Sequence, residues 1–188
     1  ARPSLSSRST TAVALPFDTS SIRDSSLIVS PSRLRHSAAI TSKRGDLLDR
    51  LAALTADGTT AGHLGIAWAW YLVSPEWTDV WPGVSAPKAY GDPKVSKIVI
   101  LMTDGMFNTS YEPDNGDSAA QARRLCQSIK AKGITVFAIG FDAPAGVLPL
   151  LRECASSASY FYDARDGAAL RDAFRRIAER INALRLSK

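Results

Sequence analysis

The sequence predicts an α/β domain whose mostly parallel sheet is flanked by helices, and three observations carry that prediction. Residues 98–102, Ile-Val-Ile-Leu-Met, form an apolar run too short for a helix and too uniform for a strand with one wet face, so they mark a strand buried on both sides. Residues 118–140 read as a helix leading straight into a second apolar strand, the order that builds parallel sheets through right-handed crossovers. Residues 167–184 close the chain as an amphipathic helix with Leu170, Ala173, Phe174, Ile177, Ala178, Ile181 and Leu184 at helical spacing.

Composition bounds the answer further. The chain has 188 residues, 45% of them hydrophobic, which suffices for one domain with a proper core. The formal net charge of +5 is spread along the chain, without the dense basic face and aromatic platforms of a nucleic-acid binder, so the charges are read as solvated surface. No stretch of 18 apolar residues is present, nor a basic-then-apolar leader. The chain begins at Ala1 rather than Met, and any anchor or export signal is expected upstream of it. Cys126 and Cys154 have no metal-type spacing; they are either two buried small hydrophobes or one disulfide.

In chain order, residues 1–10 are rich in Ser and Arg and read as an irregular segment, with the domain spanning 11–188. Residues 11–17 alternate Val13, Leu15 and Phe17 as a strand, and 27–29 would pair with it as an edge hairpin across the turn at 18–21. Residues 30–44 are too polar for a core element. Leu47, Leu48, Leu51 and Leu54 set a helix over 45–55, ended by Asp57-Gly58. Gly58-Thr59-Thr60 then leads into a helix over 62–73 that is apolar nearly all round and therefore buried.

Residues 74–96 hold four prolines beside Trp77, Trp81 and Tyr90, an insertion well beyond the usual ~4 to 6 residues of a connection. Trp77 and Trp81 are candidates for a partner contact, with packing against their own domain as the alternative. At the end of the central strand Thr103, Asp104 and Gly105 put a carboxylate where parallel sheets place their ligand sites, although an Asp-Gly pair also serves plain turns. Ser118 with Gln121 forms a capping-box pattern, and Lys130, Lys132 and Gly133 stop that helix. A strand over 134–140, a short helix over 146–155 and a short strand over 160–162 precede the closing helix. Asp142, at the tip of the 134–140 strand, either faces the same rim as Asp104 or caps its loop.

Taken together, Leu-Met-Thr-Asp-Gly at 101–105, Gly-x-Thr at 58–60, Gly-Ile-Thr-Val-Phe-Ala-Ile-Gly-Phe at 133–141 and the closing strand and helix resemble a von Willebrand factor A domain. That resemblance implies a three-layer Rossmann-like fold with an adhesion site on its upper rim. More narrowly, Gly-Ile-Ala-Trp-Ala-Trp at 65–70, Leu-Val-Ser-Pro at 72–75, Leu-Leu-Arg-Glu-Cys-Ala at 150–155 and Ile-Asn-Ala-Leu-Arg-Leu-Ser at 181–187 are similar to the carboxyl-terminal part of TadG-like pilus-assembly proteins.

The family's adhesion site takes one divalent cation from an Asp-x-Ser-x-Ser loop after the first strand, then one Thr and one Asp from later loops. Thr60 matches the Thr and Asp104 the later Asp, whereas Asp18-Thr19-Ser20-Ser21-Ile22 has Ile where the second Ser belongs. Residues 11–17 read as the family's second strand, so the first, mid-sheet strand is expected to be missing, the chain a fragment and the site half present. Two ligands fall short of the roughly six oxygens that Mg²⁺ or Ca²⁺ needs, so any cation is expected to bind weakly. The TadG likeness implies the periplasmic side of a bacterial envelope, an upstream anchor, a protein partner from that machinery, and an oxidising setting that permits a Cys126–Cys154 disulfide.

Binding rather than catalysis is the expected function. A hydrolase is the competing class, but its ingredients are few: His36 and His63 are the histidines, each read as solvated or capping, and no nucleophile elbow or phosphate loop accompanies them. A scaffold that binds through the rim and the Trp77/Trp81 loop without metal is the third reading.

Overall fold

The computed structural model describes residues 8–14, 41–53, 59–81, 83–111 and 113–186. Its described strands form one sheet in the order β1 (Arg8–Ala14), β2 (Val95–Thr103), β3 (Thr135–Phe141) and β4 (Phe161–Ala164), and every adjacent pair is parallel. The helices are α1 (Arg44–Ala52), α2 (Gly62–Val73), α3 (Ser118–Ala131), α4 (Leu148–Cys154) and α5 (Gly167–Leu186).

The apolar run in β2 feeds two cores, because alternate side chains of a strand point to opposite faces. Val99 and Leu101 join α2, α3 and α4 on one side; Ile98 and Ile100 join α5 on the other. In β3, Val136 and Ala138 repeat the first assignment and Phe137 and Ile139 the second. All eight are at most 4% exposed, and each fully buried aliphatic side chain of this size contributes about 1.5 to 3 kcal/mol. The result is the three-layer, Rossmann-like fold of the von Willebrand A type.

The amino-terminal expectations need correction. β1 starts at Arg8, so residues 8–10 are strand rather than irregular, and its partner is β2 in parallel register, with Ala14 opposite Leu101. Residues 27–29, expected to pair with this strand as a hairpin, lie outside the described ones. Since β1 and β3 flank β2, no gap faces the central strand, and residues 18–22 follow the strand beside β2 in chain order, not a second strand further out.

The helices follow their sequence patterns. α2 has the predicted bounds and is buried along most of its length. α3 is capped one residue earlier than expected: Asp117 is the N-cap, its Oδ1 accepting the Ala120 N–H at 2.6 Å, and the Gln121 amide donates to Tyr111 O and Gly116 O instead of closing a capping box. Gly133, at φ +74°, ends the helix as predicted. In α1 the apolar stripe is present, but Leu47, Leu48 and Leu51 are 43%, 47% and 53% exposed.

Residues 74–96 are ordered by their own aromatics. Trp81 is 4% exposed and part of the core, while half-buried Trp77 stacks on Tyr71 with ring centroids 4.0 Å apart. Packing within the domain therefore describes both rings, and Trp81 is not displayed to a partner. At the base of the sheet buried Lys97 donates to Val73 O at 2.6 Å and lies over the Tyr90 ring; burial lowers its pKa, an effect that Asp92 opposes.

Cys126 of α3 and Cys154 of α4 are joined, their Cα atoms 5.0 Å apart. The bond spans 28 residues of sequence and ties two helices lying on the same face of β3. Constraining the unfolded chain over that length stabilises the fold by about 3 to 4 kcal/mol in the chain-entropy picture. Mass spectrometry of the non-reduced protein should show the two peptides linked, and the Cys126→Ala/Cys154→Ala variant should lose about that much stability in denaturant unfolding.

Candidate functional site

Parallel strands deliver their carboxyl ends to one rim, and β2 and β3 end there in register, Thr103 opposite Gly140. Just past β2 the buried Thr103 hydroxyl folds the chain over: it donates to Gly105 O at 3.1 Å and accepts the Gly105 N–H at 3.2 Å. That turn lifts Asp104 into solvent while Gly105 faces inward. A Cβ at Gly105 would stand 3.7 Å from Thr60 Oγ1, so the Thr60 side chain lies directly against the turn that presents Asp104.

Three hydrogen bonds fasten Thr60 to the segment after that turn. The Thr60 N–H donates to Asn108 Oδ1 at 3.0 Å, and Thr60 O accepts the N–H groups of Asn108 and Thr109 at 3.1 and 3.2 Å. Beneath them the Phe107 ring packs on Gly62, where a Cβ would come within 2.3 Å of the ring. On the other flank, the exposed side chain of Met106 meets Gly146, whose hypothetical Cβ would lie 3.3 Å from its sulfur. Residues 59–60, 103–109 and the loop after β3 thus form one surface.

Asp142 belongs to this rim, two residues beyond Gly140. It is exposed and, at φ +45°, adopts a left-handed backbone that non-glycine residues rarely take, held by its N–H bond to Ala164 O at 2.8 Å.

His63 is neither solvated nor a cap. It is 2% exposed, and its Nδ1 lies 2.8 Å from Oγ of Ser118, the first residue of α3. Its Nε2 is buried without a partner among the described residues, and burial lowers its pKa. The clue was available in sequence: His63 falls in the first turn of a helix apolar on every side, where burial is the default. Ser118 is also 2% exposed, so the pair is not open to the surface as a nucleophile and base would be. His36 lies outside the described residues.

The described residues hold no group of three His, Cys, Asp or Glu side chains placed to share a metal ion. Thr60 and Asp104 offer two side-chain oxygen ligands with one charge, against roughly six oxygens for a tight Mg²⁺ or Ca²⁺ site. By themselves they do not complete such a site. The concavity bounded by Arg175, Arg176, Glu179 and Arg180 lies on the outer face of α5, away from the rim, and its charges are solvated; Arg175 and Arg176 both pair with Asp172.

Residues 85–176 match the family model of the von Willebrand factor type A domain. No curated protein matches the chain. Among solved structures it is similar to the vWF domain of the type V pili tip protein Mfa5 from Porphyromonas gingivalis, at 16% identity and a TM-score of 0.58, over 78% of this chain and 75% of that one. It is also similar to proximal thread matrix protein 1 from the mussel byssus, at 23% identity and a TM-score of 0.44, over 65% of this chain. The match spans 26% of that longer protein. At 16% identity the likeness to the Mfa5 domain shows the fold alone.

The contact between Phe107 and Gly62 yields a test. Gly62→Ala must push the ring aside and should cost about 1 to 3 kcal/mol in denaturant unfolding, as overpacking does. Gly45→Ala, with open space around its hypothetical Cβ, should change stability by less than that.

Proposed function

We propose that this chain is a binding module of a TadG-like pilus-assembly protein in a bacterial envelope, holding a protein partner on the rim formed by Thr60, Asp104, Met106 and Asp142. The observation that carries the reading is the rim itself: three separate segments converge there, yet Asp104, Met106 and Asp142 are left exposed. An exposed apolar side chain on the same rim as two exposed carboxylates suits a protein contact. The fold of a pilus tip domain supports the envelope setting, and so does the Cys126–Cys154 bond, which persists in oxidising compartments. Among the described residues no helix is long and apolar enough to cross a membrane, so the anchor assigned by this reading belongs to another part of the protein.

The reading assigns no catalytic step. A divalent cation such as Mg²⁺ would be held by Asp104 and Thr60, with its remaining ligands supplied from elsewhere; Asp18 and Ser20, outside the described residues, follow the strand beside β2 in chain order. The small ligand set among the described residues favours a contact that works without the cation.

A photoreactive amino acid at position 106, introduced into the full-length protein in cells, should give a discrete crosslinked product that disappears with Asp104→Ala. The same probe at position 176, on the outer face of α5, should give none. Products of equal yield from both positions would remove the rim from the account. Thermal unfolding with millimolar Mg²⁺ or Mn²⁺ separates the two versions: a rise lost in Asp104→Ala assigns the cation to the contact, and an unchanged midpoint assigns the contact to the protein surface alone.

A further inference from the structure

His63 lies where α2, α3 and the loop between β2 and α3 come together. It lies in the first turn of α2, three residues after Thr60. Its ring bonds the first residue of α3, and the Tyr111 ring of the intervening loop lies 6.3 Å away, centroid to centroid. The same loop begins with Asn108 and Thr109, whose backbone N–H groups hold Thr60 O. An imidazole is thus sealed in the seam between α2 and α3, three residues along the chain from Thr60.

That seam fits a neutral ring and not a charged one. In either neutral tautomer Nδ1 keeps its bond with Ser118, as donor or acceptor. The imidazolium adds an N–H at Nε2, which has no acceptor among the described residues. It also places a positive charge at the amino terminus of α3, the positive end of the helix dipole.

Among the described residues no carboxylate bonds the ring to offset that charge. On α3 the Asp117 carboxylate is engaged by the Ala120 N–H of its own helix, and Arg124 reaches Asn115 O. Among the described loop residues the facing titratable group is Tyr111, and Asp114 is exposed to solvent. On α2 the next titratable side chain, Tyr71, lies two turns further along.

We propose that His63 is an acid-operated latch: on taking up a proton the ring leaves the seam between α2 and α3, and the rim segments at 59–60 and 107–111 come loose. The sign follows from linkage. A buried neutral histidine contributes its full share of local stability above the ordinary imidazole range near 6.5, and loses it as the pH falls below that value. The latch acts on the surface assigned above to partner binding, but its test needs no partner, so the two readings fail separately.

Amide hydrogen exchange of the full chain, corrected for intrinsic rates and followed from pH 7.5 to 5.5, is the test. Protection of the Asn108 and Thr109 amides should fall by about tenfold per pH unit below ~6.5, while the amides of β3 hold. His63→Gln should make the rim amides insensitive to pH over the same range. Wild-type protection that stays flat, or the same fall in His63→Gln, would overturn the proposal. Should that variant not fold, the His63 ring resonances of the wild type decide: a ring that titrates with no accompanying loss of rim protection would also overturn it.

Discussion

The burial of β2 on both faces is the constraint from which the rest follows. A strand whose successive side chains enter two different cores cannot slip by one residue without exchanging its whole apolar set, so its register against β1 and β3 is fixed by packing. Fixed register decides which residue is last inside and which first outside. Thr103 is that last buried residue; its hydroxyl closes the turn, and Asp104 emerges at the rim as a result.

The rim is then assembled by contacts between loops that belong to different layers. α2 brings Thr60 against Gly105 because Gly62 lets the Phe107 ring lie on the helix backbone. α3 brings Ser118 to His63, and the Cys126–Cys154 bond holds α3 to α4 on the same face of the sheet. Stability and site are therefore coupled: side chains that fasten α2 and α3 to the sheet also place the exposed residues. His63 Nε2, without a partner among the described residues, and the left-handed backbone at Asp142 are local costs sustained by this packing, and both lie in or beside the segments that shape the rim.

Periodicity and punctuation made most of the fold legible in sequence. The β2 run, the all-apolar α2, the Gly133 stop and the stripe of α5 all stand where those signals put them, because burial selects apolar residues at the repeat of each element. Three features were not legible, each for a physical reason. β1 begins with Arg8, Ser9 and Thr10, which carry no apolar pattern, and its parallel pairing with β2 is a backbone property that side chains do not announce. Ser118 has cap chemistry, but Asp117 comes one residue earlier and takes the role, freeing the Ser118 hydroxyl for His63. Trp81 lies in a loop by sequence, yet its area is large enough to be recruited into the core. At the site, the pairing of Thr60 with the Asp104 turn came through resemblance, whereas the buried His63 and Ser118 required the packing of α2 on α3.

The central claim is that the Thr60 segment and the turn after β2 form a single surface. Nuclear Overhauser contacts between the Thr60 methyl group and the Gly105 α-protons measure this most directly. The account predicts a strong contact there, alongside contacts from the Phe107 ring to Gly62. A Thr60 methyl with no contact to residues 103–105, in a protein whose β2 and β3 contacts are intact, would contradict it.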